Sequence, residues 1–240
     1  LLGWFAPFFV YPAAALLASL AIWFWTREPA RSPGARESWG GYKQAVLHAL
    51  ERRHVLIAFF SALVVMLLLM GVLFWVADVL PSRERMSPLV RGVTLALPML
   101  TSAAAALLAQ RVGERLGIVR SVLWGLLLMG TAGIALPWLG SSALVYLLLA
   151  VFGFGTGTAL TGLNTLAISS APGEYRGAVT AVYGALRSLG AAVAPAVFVG
   201  LRDGWGPLPF VLFGGAVLLA GGATLFIKES EALPARLRTR

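Results

Sequence analysis

The stretch that decides the fold runs from Ser121 to Gly173 and reads SVLWGLLLMGTAGIALPWLGSSALVYLLLAVFGFGTGTALTGLNTLAISSAPG. These 53 residues contain no Asp, Glu, Lys or Arg. An apolar α-helix needs about 20 residues to cross the hydrocarbon core of a bilayer, so the stretch is too long for one crossing and long enough for two. The segment 137–142, with its proline, glycine and serines, supplies the turn between them.

The whole chain of 240 residues has the same character. Hydrophobic residues make up 59% and charged residues 12%, and the mean hydropathy is +0.84. An average soluble domain is about 45–50% apolar and about 25% charged, so this chain has too few charges to cover a globular surface. The composition excludes a soluble enzyme and predicts an all-α polytopic membrane protein.

Seven windows with at most one charge each predict seven transmembrane helices. They cover residues 1–26, 55–77, 92–110, 121–138, 143–168, 177–200 and 208–227. A polar connection at 27–54, which ends in a short interfacial helix, and a basic tail at 228–240 complete the chain.

Lysine and arginine are divided unequally between the connecting segments. If the spans alternate in direction, 14 of the 19 lie on one side of the membrane and 4 on the other, with Arg187 inside a span. The positive-inside rule makes the richer side cytoplasmic, which predicts an external N-terminus and a cytoplasmic C-terminus. The net charge of +9 is therefore a topology signal, and we expect no nucleic-acid partner.

The chain has no cysteine and two histidines. Disulfides, thiolate ligands and cysteine nucleophiles are thereby excluded, and no histidine-based metal cluster can be assembled. We therefore expect no metal site and no catalytic residues.

The window 177–200 carries a face of small residues. Positions spaced by three or four along it are Gly177, Ala181, Gly184, Ser188, Ala191 and Pro195. In a membrane such a face lets a neighbouring helix backbone approach closely. Gly190, followed by Ala194 and Pro195, adds an element that we expect to loosen the helix midway, because proline removes one backbone donor.

Arg187 is the one charged residue inside a predicted span, on a helical face shared with Tyr183 and Gly190. Counting from Arg176 places it up to about 16 Å deep, whereas placing 20 residues before Arg202 leaves it about 7 Å from the cytoplasmic surface. The deep position predicts a charge with a partner and a function. The shallow position predicts a side chain that snorkels to the interface.

Polar residues also occur in two other spans. Thr161 and Asn164 share a helical face of window 143–168, which predicts either hydrogen bonds between packed helices or one polar wall of a cavity. Asp78 is the only acid close to a membrane core. It is either a proton-coupling carboxylate or the external end of window 55–77.

The segment from Gln110 to Arg120 reads QRVGERLGIVR and joins two spans. Its glycines suit a tight turn between helices, and Glu114 can pair with the neighbouring arginines. A solvated basic turn is the alternative interpretation.

This segment resembles the C-terminal copy of the cytoplasmic Gly-x-Leu-Ala-Asp-Arg-x-Gly-Arg-Arg motif of the major facilitator superfamily. The departures are Gln110 for the leading Gly, Glu114 for Asp, and Ile118 and Val119 for basic residues. The resemblance implies a gating role for Gly113, Glu114, Arg115, Gly117 and Arg120.

A second resemblance lies around window 177–200. The run from Pro172 to Gly177, followed by Tyr183, Arg187, Gly190 and Ala194-Pro195, is similar to the eleventh helix in the drug:proton antiporter branch of that superfamily. Close packing in that helix is implied for Gly177, Gly184, Gly190 and Pro195.

The opening 1–26 is similar to a sixth helix, so the whole chain resembles helices 6–12 of this fold. Residues 1–26 then form the last helix of the N-terminal six-helix half and 27–54 the cytoplasmic interdomain linker. Residues 55–227 form the C-terminal six-helix half and 228–240 a cytoplasmic basic tail.

The resemblance implies a multi-pass secondary transporter of the bacterial inner membrane that exports small or drug-like molecules by proton antiport and alternating access. It implies no bound cofactor, with the proton motive force as the energy source. The partners are a small-molecule substrate, the lipid bilayer and the missing N-terminal helices. Candidates for the substrate path are Trp75, Asp78, Thr161, Asn164, Tyr183 and Arg187.

Two other functions fit the residues. A proton-coupled symporter that imports a metabolite or an anion shares the fold, and Arg187 as a counter-charge favours it. A seven-helix membrane receptor fits the helix count, although a retinal protein needs a lysine within a span, and Lys43 and Lys228 both lie outside the spans.

Overall fold

A computed structural model of the chain describes residues 6–26, 43, 46–47, 50–84, 86–139, 143–169 and 176–227. The chain divides into two units, Leu1–Ser38 and Trp39–Arg240, each of which is described by itself. The first unit contains helix α1 (Ala6–Trp25), an uncharged helix of 20 residues that includes Pro12. At about 1.5 Å per residue it is about 30 Å long, which matches the thickness of a hydrocarbon core.

The second unit contains six helices with described bounds and one short 3-10 turn, and its described residues 43, 46–47 and 50 are also helical. The six helices are α2 (Arg53–Glu84), α3 (Pro88–Leu116), α4 (Ile118–Ala135) with the turn Leu136–Trp138, α5 (Ala143–Ser169), α6 (Arg176–Trp205) and α7 (Leu208–Thr224). No strand occurs in the described part of the chain. Each predicted window coincides with a helix, so the predicted all-α fold is confirmed. The predicted linker lies largely outside the described residues, and the predicted tail 228–240 lies entirely outside them.

Five segments of the described chain are long and apolar enough to cross a membrane. They are Arg53–Asp78, Pro88–Ala109, Ile118–Trp138, Ala143–Ser169 and Arg176–Phe198. The other two predicted spans are the shorter apolar helices Phe9–Trp25 and Leu208–Thr224. Helix α7 has 17 residues, which is at the lower end of the range of about 17–25 residues that can cross. The chain is a multi-pass membrane protein, as predicted.

Helix α3 is longer than predicted at both ends. It begins at Pro88, because the Val90 N–H donates to Ser87 Oγ (3.4 Å) and proline at the first position has no N–H to leave unpaired. It continues to Leu116, through most of the segment predicted to be a loop. Gly117 alone therefore reverses the chain before α4.

Helices α2 and α6 are parallel and approach each other at glycines. A Cβ on Gly190 would clash with the carbonyl oxygen of Leu63, and a Cβ on Gly71 would clash with the ring of Phe198. The two contact positions lie eight residues apart on each helix and in the same order. The two backbones therefore run side by side in one direction, in the close packing that small residues permit in membranes.

Helix α5 is held between α3 and α4 by four glycines at which a Cβ would clash with a neighbouring helix. The contacts are Gly153 with Pro98 and Gly157 with Ser102 on α3, and Gly155 with Met129 and Gly162 with Val122 on α4. Along α5 the residue numbers of the contacted positions increase on α3 and decrease on α4. Helix α5 is therefore parallel to α3 and antiparallel to α4.

The six helices of the second unit alternate in direction along the chain. Helix α7 is antiparallel to α4, because the contacts of Gly214 with Ile134 and of Gly221 with Leu126 run in opposite order. The neighbours also repeat, since α5 packs on α3 and α4 as α2 packs on α6 and α7. Helices α2–α4 and α5–α7 thus form two three-helix repeats of opposite orientation, which is the inverted repeat of many transporter folds.

Burial is unequal among the spans. In an apolar 18-residue window of the span on α2, 67% of the residues are buried, against 22% in the corresponding windows of the spans on α3 and on α6. Helix α2 therefore lies at the centre of the described bundle. Each of the helices α3 and α6 has a broad face that no described residue covers.

We expect the substitution Gly157→Ala to destabilise the fold. The added methyl would clash with the Ser102 carbonyl, and this backbone atom can move only if α3 and α5 separate. Overpacking of this kind costs about 1–3 kcal/mol. The melting temperature of the purified protein in detergent should therefore fall.

The matched control is Gly215→Ala on α7, where nothing lies within 4 Å of an added Cβ. Alanine is the better helix former, so the melting temperature should stay the same or rise slightly. Equal losses in both variants would show that the glycine contacts of α5 do not hold the bundle.

Candidate functional site

Tyr183 and Arg187 lie on successive turns of α6, on the side that packs against α2. Tyr183 is 1% exposed, and its ring is tilted against Phe59 of α2 with 6.3 Å between ring centroids. The guanidinium carbon of Arg187 lies 5.9 Å from the centroid of the Tyr183 ring. This distance is that of a cation–π contact, so the aromatic pair helps to hold a charge beside the centre of the bundle.

Tyr183 and Arg187 each have one buried polar atom without a hydrogen-bond partner in the described part of the chain. These atoms are the Tyr183 hydroxyl oxygen and Arg187 Nε. An unpaired buried donor costs about 1–3 kcal/mol, and more for a charged group. In a membrane interior water is scarce, so the cost is not relieved by solvent. The polar contacts of this pair are therefore incomplete among the described residues.

The packing register fixes the depth of Arg187 relative to α2. Since Gly190 lies against Leu63, Arg187 is level with residue 60, seven residues beyond the start of α2 at Arg53. Seven residues correspond to about 10 Å of helix. Arg187 is also the central residue of the candidate span Arg176–Phe198. It lies inside the membrane-crossing segment, and its depth in the bilayer stays a prediction.

Thr161 and Asn164 of α5 form no hydrogen bond to a neighbouring helix among the described residues. Asn164 is exposed, and the Thr161 hydroxyl donates to the Gly157 carbonyl of its own helix (2.9 Å). The glycines of the same helix make the contacts between helices instead. These two side chains therefore provide no hydrogen bond between the described helices, and their place in a cavity wall stays a prediction.

Asn164 nevertheless lies at about the depth of Arg187. A Cβ added at Gly133 of α4 would contact both Leu68 of α2 and Phe152 of α5, so α2 and α5 lie side by side at this level. Twelve residues further along the antiparallel α5, Asn164 comes within about one helical turn of the level of Arg187. Helices α5 and α6 also contact each other.

Trp75 and Asp78 lie far from Arg187. Trp75 is 5% exposed and meets Phe210 of α7 edge to face, with 5.9 Å between centroids. Asp78 is exposed and is the last residue of the candidate span on α2, which fits the interpretation as the end of that span. It is eighteen residues from the level of Arg187, which corresponds to about 27 Å of helix. The structure therefore does not bring these two candidates to the Arg187 region.

The predicted gating segment lies at one end of the bundle. Glu114, Arg115 and Arg120 are exposed there. Gly117 has φ 88° and ψ 154°, and its N–H donates to the Gly113 carbonyl (2.9 Å). The Ser121 hydroxyl donates to the Gly117 carbonyl (2.7 Å) and closes the turn from the other side. The turn is built locally, and its gating role stays a prediction.

The small-residue face of α6 points away from the described helices. Nothing lies within 4 Å of a Cβ added at Gly177 or Gly184, and Pro195 is exposed. Gly190 makes the close contact with α2 instead. Helix α6 continues through Pro195 to Trp205, so the proline does not end it.

Sequence reasoning missed Phe59, and it missed that Phe198 and Phe210 pack in one aromatic cluster with Trp75. The ring of Phe198 meets that of Phe210 edge to face at 5.2 Å and thereby joins α6 to α7. Phenylalanines are frequent in these apolar windows, so no local signal separates one that packs on Tyr183 from one that faces lipid. Such contacts follow from the packing of distant segments.

Comparisons with known proteins agree with this architecture. A family model described as Major Facilitator Superfamily matches residues 1–195 and, in a second match, residues 86–238. A curated relative, the bacillibactin exporter of Bacillus subtilis (strain 168), is 30% identical over 156 residues. That alignment covers 64% of this chain and 39% of the relative, so the chain spans about two fifths of the length of that relative.

We expect Gly117→Ala to lower stability through backbone strain. A φ of 88° combined with a ψ of 154° is a conformation that residues with a Cβ rarely adopt, at a cost of about 1–3 kcal/mol. Thermal unfolding of the purified protein measures the loss. Gly113→Ala is the control, because nothing lies within 4 Å of its added Cβ. If both variants unfold at the wild-type temperature, the turn at Gly117 does not require glycine.

Proposed function

The chain belongs to the Major Facilitator Superfamily, and from this membership we propose that it is the C-terminal part of a secondary transporter that exports small amphipathic molecules. In this proposal the proton motive force drives export by proton antiport, and no bound cofactor takes part. The family is one of transporters, so the prediction that the chain is not an enzyme is confirmed.

The observation that carries the proposal is the pair of inverted three-helix repeats, α2–α4 and α5–α7. In transporters of this kind each six-helix half is built from two such three-helix repeats, and the two halves rock around a site near the middle of the membrane. The uncovered faces of α3 and α6 are available for the other half, and on α6 this face is made of small residues such as Gly177 and Gly184. We propose that the missing helices of the N-terminal half pack there.

Export is the direction supported by the relative, whose name describes it as an exporter. Its bacterial source supports the inner membrane as the location. The excess of lysine and arginine in one set of connections supports a cytoplasmic C-terminus and an external N-terminus. In this orientation the segment from Gly113 to Arg120 faces the cytoplasm, where it would clamp the transporter in one state and release it in the other.

Import by proton symport is the second candidate. Arg187 favours it, because a positive charge inside a membrane span is a suitable counter-charge for an anionic metabolite. The family match leaves the receptor interpretation without support.

The direction can be tested with the full-length transporter in proteoliposomes with an imposed pH gradient, with valinomycin and potassium to hold the membrane potential at zero. The transported dye is the fluorescent anion naphthalene-2-sulfonate. For antiport we expect this anion to accumulate in vesicles with an acidic interior. With one proton exchanged per molecule, each pH unit supports up to about tenfold accumulation. Filtration of the vesicles followed by fluorescence measures the dye retained.

Nigericin, which collapses the gradient, is the control and should abolish accumulation. Accumulation in vesicles with an acidic exterior and a neutral interior would instead demonstrate symport. Equal uptake with and without a gradient would contradict both forms of proton coupling.

A further inference from the structure

The charge on Arg187 is not matched by an acidic side chain in the described part of the chain. The structure gives its guanidinium a contact with the Tyr183 ring and leaves Nε without a hydrogen-bond partner. Asp78 lies about 27 Å away along the bundle axis, by the register of α2 and α6. A charge inside a membrane span normally pairs with an opposite charge or with a ligand.

The guanidinium is also held in a defined position. Its Nε is buried, whereas the residue as a whole is half-buried, so the terminal amino groups are the side that a ligand can reach. The Tyr183 ring, itself packed on Phe59, lies against the guanidinium and restricts its movement. An arginine fixed in this way presents two parallel N–H donors, which match the two oxygens of a carboxylate or a sulfonate.

We propose that Arg187 binds the anionic group of the transported molecule, and that Tyr183 is a positioning residue that holds the guanidinium for it. The substrate class is then small amphipathic organic anions carrying a carboxylate or a sulfonate. The apolar part of the molecule lies along the apolar surface of the spans at the depth of Arg187. This inference rests on the proposed transport function and names the class of its substrate.

The proposal is tested by ligand binding to the full-length protein in detergent, without any gradient. The probe is naphthalene-2-carboxylate, and the uncharged naphthalene-2-carboxamide is its matched control ligand. We expect the carboxylate to raise the melting temperature of the wild type in a saturable way and the carboxamide to have little effect. Titration of the shift gives the dissociation constant.

Variants then assign the effect to the pair. Arg187→Gln should weaken carboxylate binding at least about tenfold, since a hydrogen bond to a charged group is lost. Arg187→Lys keeps the charge without the two parallel donors, so its affinity for the carboxylate should lie between those of the wild type and Arg187→Gln. Arg176→Gln, an exposed arginine at the start of the same helix, should bind like the wild type.

The role of Tyr183 depends on its ring and not on its hydroxyl. Tyr183→Phe keeps the ring and should preserve carboxylate binding, whereas Tyr183→Leu removes the cation–π contact and should weaken it. A purely structural role would lower the melting temperature of the ligand-free Leu variant and leave its dissociation constant for the carboxylate unchanged.

Two results overturn the proposal. One is a wild type that the carboxylate stabilises no more than the carboxamide does, which would show that the guanidinium does not bind the anionic group. The other is an Arg187→Gln variant that binds the carboxylate like the wild type. Binding is measured without a gradient, so the two proposals can fail separately. Loss of dye transport with intact carboxylate binding would count against antiport alone. Dye transport without carboxylate binding would count against this proposal alone.

Discussion

A bilayer gives a polypeptide no water with which to satisfy its backbone, and the rest of this structure follows from that constraint. Each N–H and C=O in a span has to bond within its own helix, so the apolar windows fold as helices. Lipid also removes the hydrophobic drive between helices, and close approach at small residues takes its place. In α5 this principle is visible at four glycines, whose backbones meet α3 on one side and α4 on the other.

The same constraint explains why the bundle has an uneven surface. Helix α2 is surrounded by its neighbours, whereas α3 and α6 are each packed on a narrow side. The small-residue face of α6, which includes Gly177 and Gly184, contacts no described helix, although it has the composition of a packing face. In the proposed transporter a second six-helix half of the same fold would bury such faces.

Arg187 shows how a costly residue is accommodated in this setting. A charge within a membrane span is tolerated where an aromatic face and a neighbouring helix shield it from lipid. Tyr183 and Phe59 provide this environment, yet they leave Nε and the tyrosine hydroxyl unpaired among the described residues. Packing alone therefore does not complete the polar contacts of this region, as expected for a ligand site.

The sequence by itself determined the helices, their number and the residue types available for function. Hydropathy and charge are properties of single segments, and the spacing of Gly113, Glu114, Arg115, Gly117 and Arg120 is local, so both can be read without a structure. Helix ends were less predictable, because α3 runs on to Leu116 and Gly117 alone reverses the chain. Only the tertiary structure decided that Gly190 and not Gly184 meets α2, that Phe59 supports Tyr183, and that Trp75 is remote from Arg187. These relations depend on the rotation and register of helices distant in sequence, and an almost uniformly apolar sequence carries little local information about either.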